Sequence, residues 1–338
     1  MWKIAFFFSV FLTLLAAGGR SAAQDGEAPT ISVSVNLVKV PVSVFDYSGN
    51  MVDDLRREDF RVWEDQAQQK IRSFGIDRNP VSVVLVVDTS MSGKSELKKI
   101  KEAAEDFADA LSSGDSISLI SFDDEVYKVL DWTQDKKKVR KALSKLRSGW
   151  RTALYDAMVV AAQNQLEGIE GRKAIILLTD SLDNMSRSNF RNASLAVVES
   201  QASLYIVSKT AIVREQAKHE RRVQILDGIY KRLFGDDADY IDEFFDKREA
   251  EMKSLAEQTG ARCFFPSDYD QIKGVYSEVA QELKSKHYLT YVSNQEMHQN
   301  SYHRIAIEYL KPASKIVYRK GYYYEPERQI LSPRSLSR

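Results

Sequence analysis

Two uninterrupted apolar runs, Val83-Val84-Leu85-Val86-Val87 and Ala174-Ile175-Ile176-Leu177-Leu178, constrain this chain more than any other feature. A strand with one wet face alternates apolar and polar residues. Runs without alternation belong to strands covered on both faces, as in a parallel sheet enclosed by helices. Helical stripes lie between and after them. Leu97, Ile100, Ala104, Phe107, Ala108 and Leu111 share one face, and so do Ile272, Val275, Tyr276, Val279 and Leu283. Further strand-like segments at 116–122, 126–130, 204–207 and 262–265 complete repeated β-α units. The expectation for residues 80–286 is therefore an α/β domain, doubly wound around a mostly parallel, Rossmann-like sheet.

The flanks read differently. Ile31, Val33, Val35 and Leu37 alternate, then the phase shifts to Val38, Val40, Val42 and Val44, which predicts a bulge or a strand that changes sheets. Shorter β-like runs follow to residue 78, and β character returns at 288–292, 302–309 and 316–324. About four strands before Asn79 and three at the far end are each too few to bury a sandwich, while together they make about seven. Residues 29–78 and 287–324 are thus expected to build one discontinuous β-sandwich, with the α/β domain inserted in it. Residues 209–250 read as an insertion, a helix pair turning at Gly235-Asp236-Asp237, basic in its first half and acidic in its second. The tail 325–338 is expected to be disordered.

At the start, Lys3, an apolar run over 4–17 and the small-residue site Ser21-Ala22-Ala23 predict a secretory signal peptide, residues 1–23. The run is too short for a membrane span, and no later stretch could form one. The expected product is exported, periplasmic or extracellular. Lys and Arg number 48 against 48 Asp and Glu. Cleavage removes Lys3 and Arg20 and no acid, leaving 46 bases against 48 acids. That balance argues against nucleic acid as a partner. With Cys263 the single cysteine and 4 histidines in all, a Cys/His zinc site is close to excluded, so any metal chemistry must use oxygen.

Both buried runs end in aspartate, as Val87-Asp88 and as Leu178-Thr179-Asp180. Parallel neighbours place their carboxyl ends on one sheet edge, where doubly wound folds bind ligands, so the two carboxylates should converge. In Asp88-Thr89-Ser90-Met91-Ser92, residues at i, i+2 and i+4 of an extended loop point the same way and offer three oxygens. Gly149-Trp150-Arg151-Thr152 puts a hydroxyl at the start of a helix between the two aspartate strands, a position where threonine alone reads as an N-cap.

Taken together, DxSxS, GxxT and LTD in this order resemble the von Willebrand factor type A (VWA) domain and its metal-ion-dependent adhesion site, over about residues 80–286. Val40 to Val44, Asp59-Phe60, Glu64-Asp65, Thr259-Gly260, Phe264-Phe265-Pro266 and Arg319-Lys320-Gly321-Tyr322 further resemble the exported VWFA-related family abundant in acidobacteria. The resemblance implies that Ser90, Ser92 and Thr152 bind a metal directly while Asp88 and Asp180 hold its waters and the serine hydroxyls. Mg²⁺ suits such an oxygen set, with Mn²⁺ or Ca²⁺ as alternatives. It implies a non-enzymatic adhesion or assembly role in which a partner protein offers a carboxylate to the metal. Oligomeric state is left open. One departure is Ser181, where such domains usually continue with glycine, at some loss of backbone freedom.

Rival chemistries fit less well. Gly93-Lys94-Ser95 would close a phosphate loop only if residue 88 were glycine, and it is Asp88. His219-Glu220 has Val223 where a zinc peptidase needs its second histidine, and there is no GxSxG elbow. An Asp88-nucleophile, Mg²⁺-dependent phosphotransferase is the strongest enzyme alternative, but it wants a second carboxylate at Ser90. A structural envelope or assembly protein with a merely stabilising metal site is the other. His298 and His303 are expected to face solvent.

Overall fold

The computed structural model describes residues 36–90, 94–223, 238–296, 298–313 and 315–324. The leader, the alternating run at 31–35, Ser92, the turn at Gly235 and the tail 325–338 lie outside the described residues.

A six-stranded sheet runs through the α/β portion. Its strands are β5 (Val81–Asp88), β6 (Ser116–Phe122), β7 (Val126–Thr133), β8 (Arg172–Thr179), β9 (Ser203–Ser208) and β10 (Cys263–Phe264), in the order β10-β9-β8-β5-β6-β7. All pairs are parallel except β6–β7. The non-alternating runs are explained by burial on both faces. Val83, Leu85 and Val87 pack with Phe107, Leu143 and Tyr276 on one side, and Val84 and Val86 pack with Leu154, Met158 and Val197 on the other. The first layer holds helices α1 (Lys94–Ala110), α2 (Lys136–Ser144) and the last helix, Gln271–Ser285. The second holds α3 (Leu154–Val159) with the π-helical turn Val160–Gln165, α4 (Phe190–Glu199) and the long helix Ala238–Gln258.

Two antiparallel four-stranded sheets draw on both ends of the chain. One has the order β13-β1-β11-β4, from Lys315–Tyr318, Leu37–Phe45, His287–Val292 and Ile71–Ile76. The other has the order β14-β12-β2-β3, from Gly321–Tyr323, Tyr302–Tyr309, Phe60–Glu64 and Ala67–Gln69. They enclose a shared core of Val40, Val42, Val44, Val62, Leu289, Tyr291, Ile305 and Ile307. The fold is therefore a mostly parallel α/β sheet within a discontinuous β-sandwich. Three details differ from expectation. The run at 316–324 divides into β13 and β14 on opposite sheets, giving eight sandwich strands among the described residues where about seven are expected. Over its described residues β1 neither bulges nor changes sheets, pairing β11 over Leu37 to Val42 and β13 over Val42 to Phe45. His303 is buried, because it shares the inward phase of Ile305 and Ile307.

The two portions meet through fitted backbone. Gly260 has φ +74°, and a Cβ there would lie 2.5 Å from the Arg319 nitrogen, so glycine is required where β13 leads toward β14. The Arg262 guanidinium stacks on the ring of Phe45 from β1, 4.4 Å from its centroid, and donates to Glu282 at 2.9 Å.

Candidate metal-binding edge of the central sheet

The register sets the site. Strand β5 lies between β8 and β6, where the winding reverses, and β8 lies next to β9. Val87 is opposite Leu178 and Thr179 is opposite Ser208, so Asp88, Asp180 and Lys209 leave adjacent strands at nearly the same level. This crevice at the carboxyl ends of the strands is the ligand position of doubly wound folds.

Asp88 is fully buried. Its Oδ1 accepts hydrogen bonds from the Ser90 backbone N–H at 2.9 Å and from Ser90 Oγ at 2.5 Å. Its Oδ2 accepts from the Asp180 N–H at 3.3 Å and lies 3.5 Å from Lys209 Nζ. Thr152 Oγ1 donates to Ser90 Oγ at 3.0 Å. Thr152 therefore does not cap α3. The residue in that position is Ala153, which makes no side-chain cap. Of the five residues expected to converge, Asp88, Ser90, Thr152 and Asp180 do so; Ser92 lies outside the described residues.

The loop bearing Thr152 is held from two sides. Gly149 N–H donates to the Thr89 carbonyl at 3.0 Å, beside a parallel bridge between Ser90 and Gly149. A Cβ on Gly149 would lie 2.3 Å from Asp123 Cβ, so any side chain here would force the two segments apart, which accounts for the glycine of GxxT. From the other side, Asn184 Oδ1 accepts from Thr152 N–H at 3.0 Å, while the Asn184 and Met185 N–H groups donate to the Thr152 carbonyl. Asp156 accepts from the backbone N–H groups of Arg187 and Ser188, both at 2.9 Å, and steadies the segment after Asp180. Ser181 has φ +63°, the conformation expected of the glycine it replaces, and its hydroxyl meets Ser208 Oγ at 3.1 Å.

Electrostatics separate the groups. Burial, then the neighbouring Asp88 carboxylate, pushes the Asp180 carboxyl up to about 7, with Lys209 working against the rise. Burial opposes the charge on Lys209, yet Asp88 and Asp180 outweigh it and hold the ammonium above its usual range. Two buried carboxylates thus share one ammonium. Sequence reasoning did not pick out Lys209, Asn184 or Asp156. The signal for Lys209 was a lysine directly after the apolar strand at 204–207, on the edge already assigned to the aspartates.

The donor set fits a hard divalent cation. It consists of oxygens, two hydroxyls 3.0 Å apart with the Asp88 and Asp180 carboxyl groups beside them and the Lys209 ammonium 3.5 Å from Asp88. Among the described residues no group of three or more His, Cys, Asp or Glu side chains is arranged to hold a metal, so a cation here depends on the hydroxyls.

The central segment thus belongs to the class of parallel α/β domains with a hydroxyl-and-carboxylate edge. Within that class, residues 83–182 match the family model of the von Willebrand factor type A domain, and this stretch contains Asp88, Ser90, Ser92, Thr152 and Asp180. Comparison with curated proteins gives no match. Among solved structures, the chain is similar to the vWF domain of the type V pilus tip protein Mfa5 from Porphyromonas gingivalis. Identity there is 28%, covering 31% of this chain and 38% of that one, with a TM-score of 0.29. It is also similar to proximal thread matrix protein 1 from the mussel byssus, in a structure described as having a zinc-occupied MIDAS motif. Identity is 14%, covering 66% of this chain and 50% of that one, with a TM-score of 0.47. A von Willebrand factor type A structure from Catenulispora acidiphila is 10% identical, covering 86% of this chain and 72% of that one, with a TM-score of 0.45. The chain thus spans about two-fifths of the pilus-tip structure and about half of the mussel protein.

Proposed function

We propose that this protein is an exported, non-enzymatic binding module that captures an acidic group of a partner protein through a divalent cation at the sheet edge. Ser90, Ser92 and Thr152 are the direct ligands, and Asp88 and Asp180 hold the ion's waters and orient the hydroxyls. Mg²⁺ is the expected ion, with Mn²⁺ or Ca²⁺ as alternatives. Bound there, the ion supplies a coordination position that a partner's carboxylate can fill. Largely neutral ligands leave it electron-poor and favour that exchange.

The observation that carries this reading is the hydroxyl pair. Thr152 Oγ1 donates to Ser90 Oγ rather than capping its helix, and the Ser90 hydroxyl in turn donates to Asp88. The same geometry speaks against a phosphotransferase. Asp88 Oδ1 is taken up by the Ser90 N–H and hydroxyl, and the position two residues on, where such an enzyme wants a second carboxylate, is that same Ser90. Trp150 stands 81% exposed two residues before Thr152, an aromatic contact for whatever surrounds the captured carboxylate. Export rests on the leader at residues 1–23. Among the described residues no helix is long and apolar enough to cross a membrane.

The test is calorimetric titration of the mature protein with Mg²⁺ and Mn²⁺, paired with partner capture from the cell envelope with and without EDTA. One divalent site is expected, lost in Asp88→Ala and Thr152→Ala, with capture lost in EDTA and in Asp88→Ala. Equal binding by the wild type and both variants overturns the assignment. Metal binding without EDTA-sensitive capture leaves a stabilising ion and no adhesion.

A further inference from the structure

Asp88 and Asp180 bring two carboxylates, and Lys209, 2% exposed, brings one ammonium. A lysine this deeply buried is uncommon and needs a partner. Its backbone fixes where the charge sits. Lys209 N–H donates to the Thr179 carbonyl at 2.7 Å, one residue before Asp180, which leaves Nζ 3.5 Å from Asp88 Oδ2. The residues on either side are locked as well. Ser208 Oγ meets both Ser181 Oγ and Thr210 Oγ1, and Thr210 Oγ1 donates to Glu249 Oε1 at 2.7 Å, which also accepts from Arg214. These contacts fix the Lys209 backbone between the strand edge and the helix Ala238–Gln258.

We infer that Lys209 is a resident cation that stands in for the metal at the Asp88–Asp180 pair and sets the net charge of the loaded site. This rests on the divalent-site reading above. With the ion bound and both carboxyls ionised, the three side chains and the ion carry one net positive charge, against zero without Lys209; before the ion binds, Lys209 compensates Asp88 and the Asp180 carboxyl, pushed up to about 7, is only partly ionised. Two consequences follow. Divalent affinity is lower than the bare carboxyl pair would give, and the ammonium keeps the buried Asp88 charge compensated when the ion leaves. The loaded edge is net positive, so it selects an anionic side chain over a neutral oxygen donor.

The test uses the full mature protein as wild type, Lys209→Met and Lys209→Arg. Removing a unit charge a few ångströms from the carboxylate pair should strengthen Mg²⁺ binding by about tenfold or more, while the Arg variant stays near wild type. In EDTA the Met variant should melt well below the wild type, with Mg²⁺ restoring most of the difference. In saturating Mg²⁺ it should bind acetate, a probe for the partner's carboxylate, more weakly than the wild type. Equal, measurable Mg²⁺ affinity in wild type and Lys209→Met overturns the role of Lys209 and leaves the adhesion reading standing. A Met variant unfolded at every Mg²⁺ concentration also overturns it, because Lys209 would then be a structural tie. Mg²⁺ binding by Lys209→Met alone supports the stand-in role and removes the adhesion reading, and binding by neither protein overturns both.

Discussion

Replacing Gly149 by alanine adds one methyl group at the point where the strand-edge loops touch. That methyl would lie 2.3 Å from Asp123 Cβ and 2.4 Å from Asp123 Oδ2, both well inside contact distance. Asp123 has little room to yield. Its carbonyl accepts from Ala153 N–H at 2.8 Å, its N–H donates to the Glu125 carbonyl at 3.0 Å, and its Oδ1 accepts from Glu125 N–H at 3.2 Å. The Gly149 segment must therefore move, weakening its 3.0 Å hydrogen bond to the Thr89 carbonyl and drawing Thr152 away from Ser90. Overpacking of this kind costs about 1–3 kcal/mol. For a chain of this size that corresponds to a fall in Tm of roughly 2–6 °C. The loss is expected in EDTA as well as in Mg²⁺, because the clash precedes any ion. Mg²⁺ affinity should fall by about tenfold, the consequence of misplacing one hydroxyl ligand by about 1 Å. Thermal melts in both conditions and calorimetry on the same samples measure the two effects. A Gly149→Ala protein with wild-type Tm and wild-type Mg²⁺ affinity would refute the claim that this close approach positions Thr152.

The other predictions concern the surroundings of the edge. Ser181→Gly should change stability by less than about 1 kcal/mol, because relief of the positive φ offsets the lost hydrogen bond to Ser208, whereas Ser181→Val should cost more than about 2 kcal/mol; urea titrations compare the two. Burial works against the Asp156 charge, but hydrogen bonds from Ser188 and the Arg187 backbone outweigh it and hold the carboxyl below its usual value. A lowered folded-state value means a contribution present above about pH 4 and lost as pH falls below it, so Asp156→Asn should flatten the acid limb of stability measured by melts at successive pH values. We propose residues 80–286 as a separable unit, and expressed alone it should fold and bind Mg²⁺, while residues 29–78 alone should give the poorly dispersed NMR spectrum of an unfolded chain. Trp150→Ala should leave Mg²⁺ affinity within a few-fold and weaken partner capture, as read by calorimetry and pull-down together.

What could be read from the sequence follows its periodicities. Val83 to Val87 and Ala174 to Leu178 announce strands covered on both faces, and the aspartates ending them lie together at the carboxyl edge of the sheet, as their positions in the sequence imply. The inward position of His303 was also present in the period-two pattern it shares with Ile305 and Ile307; its polarity hid it. In the fold it sits between Asp65 and Ser301, with Nδ1 2.7 Å from Asp65 Oδ2 and Nε2 2.8 Å from Ser301 Oγ, which is how a polar ring is satisfied under a sheet. Lys209 was less legible, since a lysine after a strand ordinarily reaches solvent and only the strand order puts it against Asp88. The division of 316–324 into strands of opposite sheets falls beside a non-local contact, the bridge of Arg319 to Thr259, which no local pattern announces. Gly149 is legible as part of a motif, but the Asp123 side chain that a substitution there would meet lies 26 residues away in the chain.

Anomalous diffraction from crystals of the mature protein grown with Mn²⁺ tests the central claim most directly. The account predicts one strong peak at the carboxyl edge of the central sheet, within coordination distance of Ser90 Oγ and Thr152 Oγ1, and no peak there in Thr152→Ala crystals under the same conditions. A wild-type map with no peak at that edge, or with its strongest peak elsewhere on the protein, would contradict it.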